Sequence, residues 1–135
     1  MRTLLLSVFA CLLFSTPGCS GSTGPTTGVV RFVNGSPVRA GSIEFRRLSD
    51  SARYASRIAS NGSFQPESEN GTLGLPPGEY EVVVVQIVLT EDLAKVAHTH
   101  GSTVPRRYAD YYTSGLRYEV KPGDQAEISI SLETE

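Results

Sequence analysis

The sequence predicts an all-β fold, a sandwich of antiparallel sheets with about seven short strands. From Gly28 onward, apolar and polar residues alternate with a period of two, and the helical period of 3.6 is nearly absent. The alternating runs are separated by Asn-Gly and Pro-Gly pairs, which favour turns. Residues 28–135 also have about the length of an immunoglobulin-like sandwich, roughly 100 residues.

Each predicted strand has one apolar face, which we assign to the core, and one polar face. The predicted inward-facing residues are, in chain order, Val30, Phe32, Ile43, Phe45, Tyr54, Ile58, Leu116, Tyr118, Val120, Ala126, Ile128, Ile130 and Leu132. Residues 80–89 differ because they are apolar on both faces, which is typical of a central strand. Phe64 and Tyr80 are the aromatic residues expected to fill the space between the sheets.

Turn residues predict where the strands end. Asn34-Gly35 and Asn61-Gly62 favour the positive φ angles of tight hairpins, and Asn70-Gly71 repeats the same pair. Corners are expected at Pro76-Pro77-Gly78 and at residues 121–124, Lys-Pro-Gly-Asp. Residues 90–107 carry no strand signal, and Thr90 is a candidate cap for a short helix in this long loop.

The N-terminus has the pattern of an export signal. Arg2 precedes a run of about ten mostly apolar residues that ends at Phe14, and small residues follow. A transmembrane helix needs roughly 20 residues, so this run is too short to span a bilayer. We therefore assign residues 1–18 to a signal peptide.

Cys19 is the expected lipidation site. The small residue Gly18 directly before it, just after the apolar run, resembles the lipobox of bacterial lipoproteins, in which the cysteine receives a diacylglyceryl group and becomes the first residue of the mature protein. Thr16 stands where the lipobox usually has leucine. Cys11 is the competing site, but it would leave a much shorter apolar core. Residues 19–27, rich in Gly, Ser and Thr, are expected to form a flexible tether.

The composition of the chain argues against several classes of function. A formal net charge of −2 argues against a general electrostatic interaction with nucleic acid. No cysteine follows Cys19, so the folded domain has neither a disulfide nor a thiol nucleophile. The sequence lacks the nucleophile-elbow, zincin and Walker motifs, so we expect no enzyme activity and no cofactor.

Two groups of residues are candidate binding sites. His98 and His100 offer two imidazoles to a metal ion, with Glu91 or Asp92 as a third ligand. The second group combines aromatic rings with a carboxylate, which can stack on and hydrogen-bond a sugar. It consists of Tyr108, Asp110, Tyr111 and Tyr112. For both groups the alternative is a structural or solvent-exposed role.

Four motifs occur in the order of a known family. They are the segment 28–45 with Gly35-Ser36-Pro37-Val38, the hairpin Ser60-Asn61-Gly62-Ser63-Phe64, the corner Leu75-Pro76-Pro77-Gly78-Glu79-Tyr80, and residues 104–116 with Pro105, Tyr108 and Asp110. Together they resemble the carboxypeptidase regulatory-like domain, a transthyretin-like sandwich, and within it the small bacterial lipoproteins. Asn61 stands where that family often has aspartate.

The resemblance implies a non-catalytic interaction or structural module over residues 28–135. Hydroxyisourate hydrolases share the transthyretin-like fold, but their C-terminal Tyr-Arg-Gly-Ser tail is absent. The expected partners are the lipid bilayer, through acylated Cys19, and an envelope protein or glycan. A ligand-binding lipoprotein that engages glycan or metal through residues 90–112 is the alternative. Ser20 is not the aspartate that retains lipoproteins at the inner membrane, so an outer-membrane location is expected.

Overall fold

The computed structural model describes residues 24–86 and 102–134. The strands are β1 (Gly28–Phe32), β2 (Gly41–Arg47), β3 (Arg53–Ile58), β4 (Ser63–Phe64), β5 (Glu67–Ser68), β6 (Gly78–Val85), β7 (Leu116–Val120) and β8 (Ile128–Leu132). A 3-10 helix (Arg106–Ala109) and one turn of α-helix, α1 (Tyr111–Ser114), lie between β6 and β7. The strands form a five-stranded sheet, β5-β3-β2-β6-β7, and a three-stranded sheet, β4-β1-β8.

The all-β prediction is confirmed, with two differences. Among the described residues there are eight strands rather than about seven, because β4 and β5 have two residues each. Such short elements contain a single period of alternation, which is too little to be recognised as a pattern. The second difference is that the pairing is not wholly antiparallel: β1 and β8 run parallel, with Val30 opposite Ile130. Because β7 closes the five-stranded sheet and β8 starts again beside Thr27, β8 runs in the same direction as β1.

The core between the sheets consists largely of the predicted inward-facing residues. Within β8, Ile128, Ile130 and Leu132 are buried and alternate with exposed serines. The prediction for Ala126 was wrong, because this residue is exposed and precedes the strand. Alternation alone does not show where pairing with a neighbouring strand begins.

Aromatic residues fill one part of the core. Phe45 packs against Phe64 with ring centroids 5.8 Å apart, and the rings of Tyr54 and Tyr80 meet edge to face at 5.9 Å. The expectation that Phe64 and Tyr80 occupy the core is confirmed, since both are buried. Edge-to-face pairs of this kind stabilise a core beyond the burial of their area.

Strand β6 is an inner strand that is covered on both faces. Val82 and Val84 face the core, and Val83, on the outer face, is also buried. The hydroxyl of Ser114 at the end of α1 donates to the carbonyl of Val82 at 2.5 Å. Residues 104–114, which we call the connecting segment, therefore lie over the outer face of β6. This explains the apolar sequence on both faces of the strand.

Three turns share one hairpin geometry. Gly35, Gly62 and Gly71 have φ angles of 86°, 86° and 82°, and each donates its amide to the carbonyl three residues earlier at 2.8–2.9 Å. This is a three-residue loop with a glycine bulge, rather than the two-residue loop expected for Asn-Gly. The preceding asparagine accepts side-chain hydrogen bonds from the residue after the glycine, as Asn61 does from Ser63. These asparagines are thereby part of the turns.

The chain reaches the sandwich at one end of the strands. Pro25 accepts a hydrogen bond from Leu75, and Thr27 accepts one from Ile128. Residues 24–27, expected in the tether, therefore lie against the sandwich. We call this end, which also holds the corners 48–52, 74–78 and 121–127, the near end. The opposite end, with residues 33–40, 59–62, 86 and 102–107, is the far end.

Candidate functional site

Four of the candidate binding residues lie in the connecting segment, and its short helices direct them differently. Pro105 precedes the 3-10 helix, and Asp110 has extended backbone angles between this helix and α1. The Asp110 carboxylate accepts a hydrogen bond from the Tyr112 amide at 2.7 Å, which caps α1. Gly115, in the left-handed conformation with φ of 65°, ends it.

Tyr108 is a core residue. Its ring is buried, and its hydroxyl accepts hydrogen bonds from the backbone amide of Glu133 at 3.0 Å and from Arg107 at 3.0 Å. Arg107 also pairs with the Glu133 carboxylate at 2.9 Å. These contacts join the connecting segment to the residue after β8. The Tyr108 hydroxyl therefore already has hydrogen-bond partners within the protein.

Tyr111 lies against the outer face of the five-stranded sheet. Its hydroxyl donates to Glu44 on β2 at 2.6 Å, and the guanidinium of Arg46 stacks 3.9 Å from the ring centroid. Burial raises the pKa of the Tyr111 hydroxyl, and the hydrogen bond to Glu44 raises it further. The phenol therefore stays protonated and remains a donor at neutral and mildly alkaline pH.

Tyr111 contacts a row of charged side chains that crosses four strands. The strand register places Arg53 on β3 opposite Arg46 on β2, Arg46 opposite Glu81 on β6, and Glu81 opposite Arg117 on β7. Glu81 accepts hydrogen bonds from Arg46 at 3.0 Å, through Nε, and from Arg117 at 3.0 Å. We call Glu44, Arg46, Arg53, Glu81, Tyr111 and Arg117 the outer-face cluster.

The hydrogen bond from Arg46 lowers the pKa of the Glu81 carboxyl, and Arg117 adds to the effect. The same interaction raises the pKa of Arg46. Arg53 lies 3.8 Å from Glu44, at the limit of an ion pair. Exposed pairs of this kind each contribute little to stability, and the like charges of Arg46 and Arg53, opposite each other in register, repel.

The structure does not bring the four predicted residues together around a common point. Tyr108 faces the core, Tyr111 contacts the sheet, and Asp110 caps a helix. Only Tyr112, with 96% of its surface exposed, presents its ring to solvent. Sequence reasoning missed the contacts of Tyr111 with Glu44 and Arg46, because these two neighbours lie on β2, far from Tyr111 in the sequence.

Two shallow depressions flank β5. One, of about 470 Å³, is lined by residues 51–54 and 68–70, and the other, of about 540 Å³, includes Arg57, Gln65 and Leu73. Both are open to solvent. Within residues 24–86 and 102–134, no three His, Cys, Asp or Glu side chains are grouped to hold a metal ion.

Several predicted site residues lie outside the described residues. They are the lipidation site Cys19, its alternative Cys11, the candidate metal ligands His98 and His100, and the acidic residues Glu91 and Asp92. In the part of the chain that is described, no helix combines the length and the apolar character needed to cross a bilayer.

Comparison with known proteins yields no relative from which a role could be transferred. The chain matches no protein-family model, no curated protein and no solved structure.

Proposed function

We propose that the chain is a lipid-anchored protein of the bacterial envelope whose single folded domain is a non-catalytic interaction or structural module. The export pattern of residues 1–18, followed by Cys19 as the last cysteine in the chain, supports the anchor. A diacylglyceryl group supplies two acyl chains, and two chains hold a protein stably where one binds only weakly.

For the domain we propose the transthyretin-like or immunoglobulin-like type of sandwich, as the carboxypeptidase regulatory-like resemblance implies. The start of β6 supports this. The hydroxyl of Tyr80 donates to the carbonyl of Pro76, four residues upstream, at 2.5 Å. A buried tyrosine that bonds back to the backbone at the start of a strand is a recurrent corner in immunoglobulin-like sandwiches.

The non-catalytic proposal is supported by the hydrogen bonds that the polar side chains of the connecting segment make within the protein. Tyr108 bonds to the Glu133 backbone, Tyr111 bonds to Glu44, and Ser114 bonds to the Val82 carbonyl. The Thr113 hydroxyl donates to the carbonyl of Arg107 at 2.6 Å. These groups stabilise the sandwich rather than converge on a substrate-sized cleft, which favours a structural role for the segment.

The anchor is tested by replacing Cys19 with serine in the full-length chain. We expect Cys19→Ser to abolish incorporation of labelled fatty acid and to move the protein from the detergent phase to the aqueous phase in a cloud-point partition. Cys11→Ser is the matched control, and it should remain acylated and in the detergent phase. If acylation follows Cys11, or if Cys19→Ser stays acylated, the proposed anchor site is refuted.

The proposed outer-membrane location has a separate test. Separation of inner and outer membranes by density should place the wild-type protein with the outer membrane. Replacing Ser20 with aspartate should shift it to the inner membrane. Recovery of the wild-type protein in the inner membrane would contradict this location while leaving the anchor intact.

A further inference from the structure

The arginines that the structure describes divide into two sets according to their partners. In the first set each guanidinium lies within 4.0 Å of a carboxylate; its members are Arg46, Arg47, Arg53, Arg107 and Arg117. A second set makes no ion pair with any residue that the structure describes, and all its members are exposed. This set consists of Arg31, Arg39, Arg57 and Arg106.

The unpaired arginines belong to segments that meet at the far end. The Gln86 side chain donates to the carbonyl of Arg39 at 3.1 Å and accepts from the amide of Val104 at 2.9 Å. This joins the segment of Arg39 to the one that leads into Arg106. Asn34, in the turn after Arg31, donates to the Ser102 hydroxyl at 3.3 Å.

Arg57 lies beside the same segments. It is paired in register with Ser42, at the far end of β2, three residues after Arg39. Among the described residues, the Arg31 guanidinium donates to the carbonyl of Gly35, at 3.4 Å. Arg39 and Arg106 thus lie within the far end, and Arg31 and Arg57 border it on the outer faces of the two sheets, all without a carboxylate partner among the described residues.

The near end has the opposite charge. Besides the Arg47–Asp50 ion pair, its corners and adjoining strand ends carry two basic side chains, Arg53 and Lys121, and five acidic ones, Glu69, Glu79, Glu119, Asp124 and Glu127. Although the overall net charge is only −2, the positive and negative side chains are concentrated at opposite ends of the strands. A charged partner would be attracted to one end and repelled from the other, which orients its approach.

We propose that the far end is a binding surface for a polyanionic glycan that carries phosphate or carboxylate groups. Arginine is suited to this role because its planar guanidinium donates two parallel hydrogen bonds to either group. The four arginines lie on four different segments of the chain. A polymer with repeated charges can contact several such segments at once, whereas a small anion cannot.

A protein partner is less compatible with this end. Protein interfaces are centred on apolar or aromatic anchors that become fully desolvated. Among the described residues of the far end, the large exposed apolar side chains are Val33 and Val85, which lie on separate segments. Only the orientation of the surface rests on the proposed lipid anchor: with Cys19 preceding the near end, the far end faces away from the membrane.

The test measures binding of the full-length chain, in detergent micelles, to two immobilised polymers at low and moderate salt. Phosphomannan presents phosphate groups and polygalacturonate presents carboxylates, in both cases on a sugar polymer. Dextran is the neutral control, and poly-glutamate represents an acidic peptide. We expect binding to at least one of the first two polymers, and we expect it to weaken steeply as salt rises.

Matched variants locate the surface. Removing three far-end charges, with Arg31→Gln, Arg39→Gln and Arg106→Gln, should weaken binding by about tenfold or more. Removing three charges elsewhere, with Arg53→Gln, Arg117→Gln and Lys121→Gln, should change it by less than about twofold. Thermal unfolding of both triple variants verifies that each is folded.

Three results would overturn the proposal: equal losses in the two triple variants, no binding to either polyanion at low salt, or binding to poly-glutamate alone, which would indicate an acidic protein partner. Preference for phosphomannan or for polygalacturonate identifies the acidic group. Because the protein is held in micelles, these outcomes are independent of whether Cys19 carries the anchor.

Discussion

At the scale of single residues, Tyr111 is a candidate ligand-binding residue in the sequence, but in the fold it connects α1 to the five-stranded sheet. Its ring lies against the Arg46 guanidinium, and its hydroxyl is bonded to Glu44. Its neighbour Tyr112, one residue further along α1, points into solvent. Successive residues of a helical turn are rotated by about 100°, so adjacent tyrosines face different surroundings.

The two tyrosines form a natural pair for mutation. Tyr111→Phe should lower the free energy of unfolding by about 0.5–1.5 kcal/mol, because it removes the hydrogen bond to Glu44. Tyr112→Phe should leave stability unchanged. Urea unfolding monitored by circular dichroism measures both. Equal stability of Tyr111→Phe and the wild-type protein would show that the hydroxyl contributes nothing to the fold.

Tyr80 should make the protein less stable at alkaline pH. Burial raises its pKa to about 12, whereas an unfolded tyrosine ionises near 10. Above pH 10 the unfolded chain loses this proton while the folded chain retains it, so stability falls as pH rises from about 10 to 12. Below pH 10, Tyr80 does not make the free energy of unfolding depend on pH.

Urea unfolding measured from pH 8 to 11.5 tests this effect. One such group contributes a slope of at most about 1.4 kcal/mol per pH unit. Tyr80→Phe should reduce the slope above pH 10, and Tyr112→Phe should leave it as in the wild-type protein. The same slope in all three proteins would contradict the assignment to Tyr80.

At the scale of elements, the hairpin between β2 and β3 contains a residue under backbone strain. Ser51 has a φ angle of 61°, a conformation that costs a residue with a side chain about 1–2 kcal/mol. The hairpin is held by the Arg47–Asp50 ion pair at its base, with a bond of 2.9 Å from Nε. This hydrogen bond lowers the pKa of Asp50 to about 2.

Ser51→Gly should therefore stabilise the protein by up to about 1 kcal/mol, after allowance for the greater freedom of glycine in the unfolded chain. Ser49→Gly, in the same loop but without a positive φ angle, is the control and should destabilise slightly. The unfolding temperatures of the two variants, measured by thermal melts, test this prediction. Shifts of the same sign would indicate that backbone strain at Ser51 has no energetic consequence.

The elements differ in how well the sequence predicts them. Strands such as β8 were recognisable because alternation of apolar and polar residues is a local property. The parallel pairing of β1 with β8 joins residues 100 positions apart, and no local pattern encodes it. The two-residue strands β4 and β5 span only one period, so no repeat of the pattern marks them as strands.

The same limit applies to the candidate site. The tyrosines of the connecting segment were visible as a cluster in the sequence, but their separate directions depend on Pro105, Asp110 and Gly115, which shape its short helices. The outer-face cluster exists only because strand register brings Glu81 between Arg46 and Arg117. In sequence these residues appear as ordinary polar positions on separate strands.

At the scale of the whole molecule, the entry point of the chain and the arginines without ion pairs lie at opposite ends of the strands. The chain arrives at the acidic near end, where residues 24–27 pack against Leu75 and β8. The connecting segment covers one side, and the arginines without an ion pair among the described residues lie at the far end or on the strands that border it. A lipid on Cys19 would place this basic end furthest from the bilayer, in position to meet an anionic polymer of the envelope.

The central claim is that the mature protein begins at an acylated Cys19. Intact mass spectrometry of the protein extracted from membranes tests it most directly. The account predicts a mass equal to residues 19–135 plus a diacylglyceryl group, with or without a further acyl chain. An unmodified chain that still includes Met1, or a mature protein that starts at another residue without lipid, would contradict it.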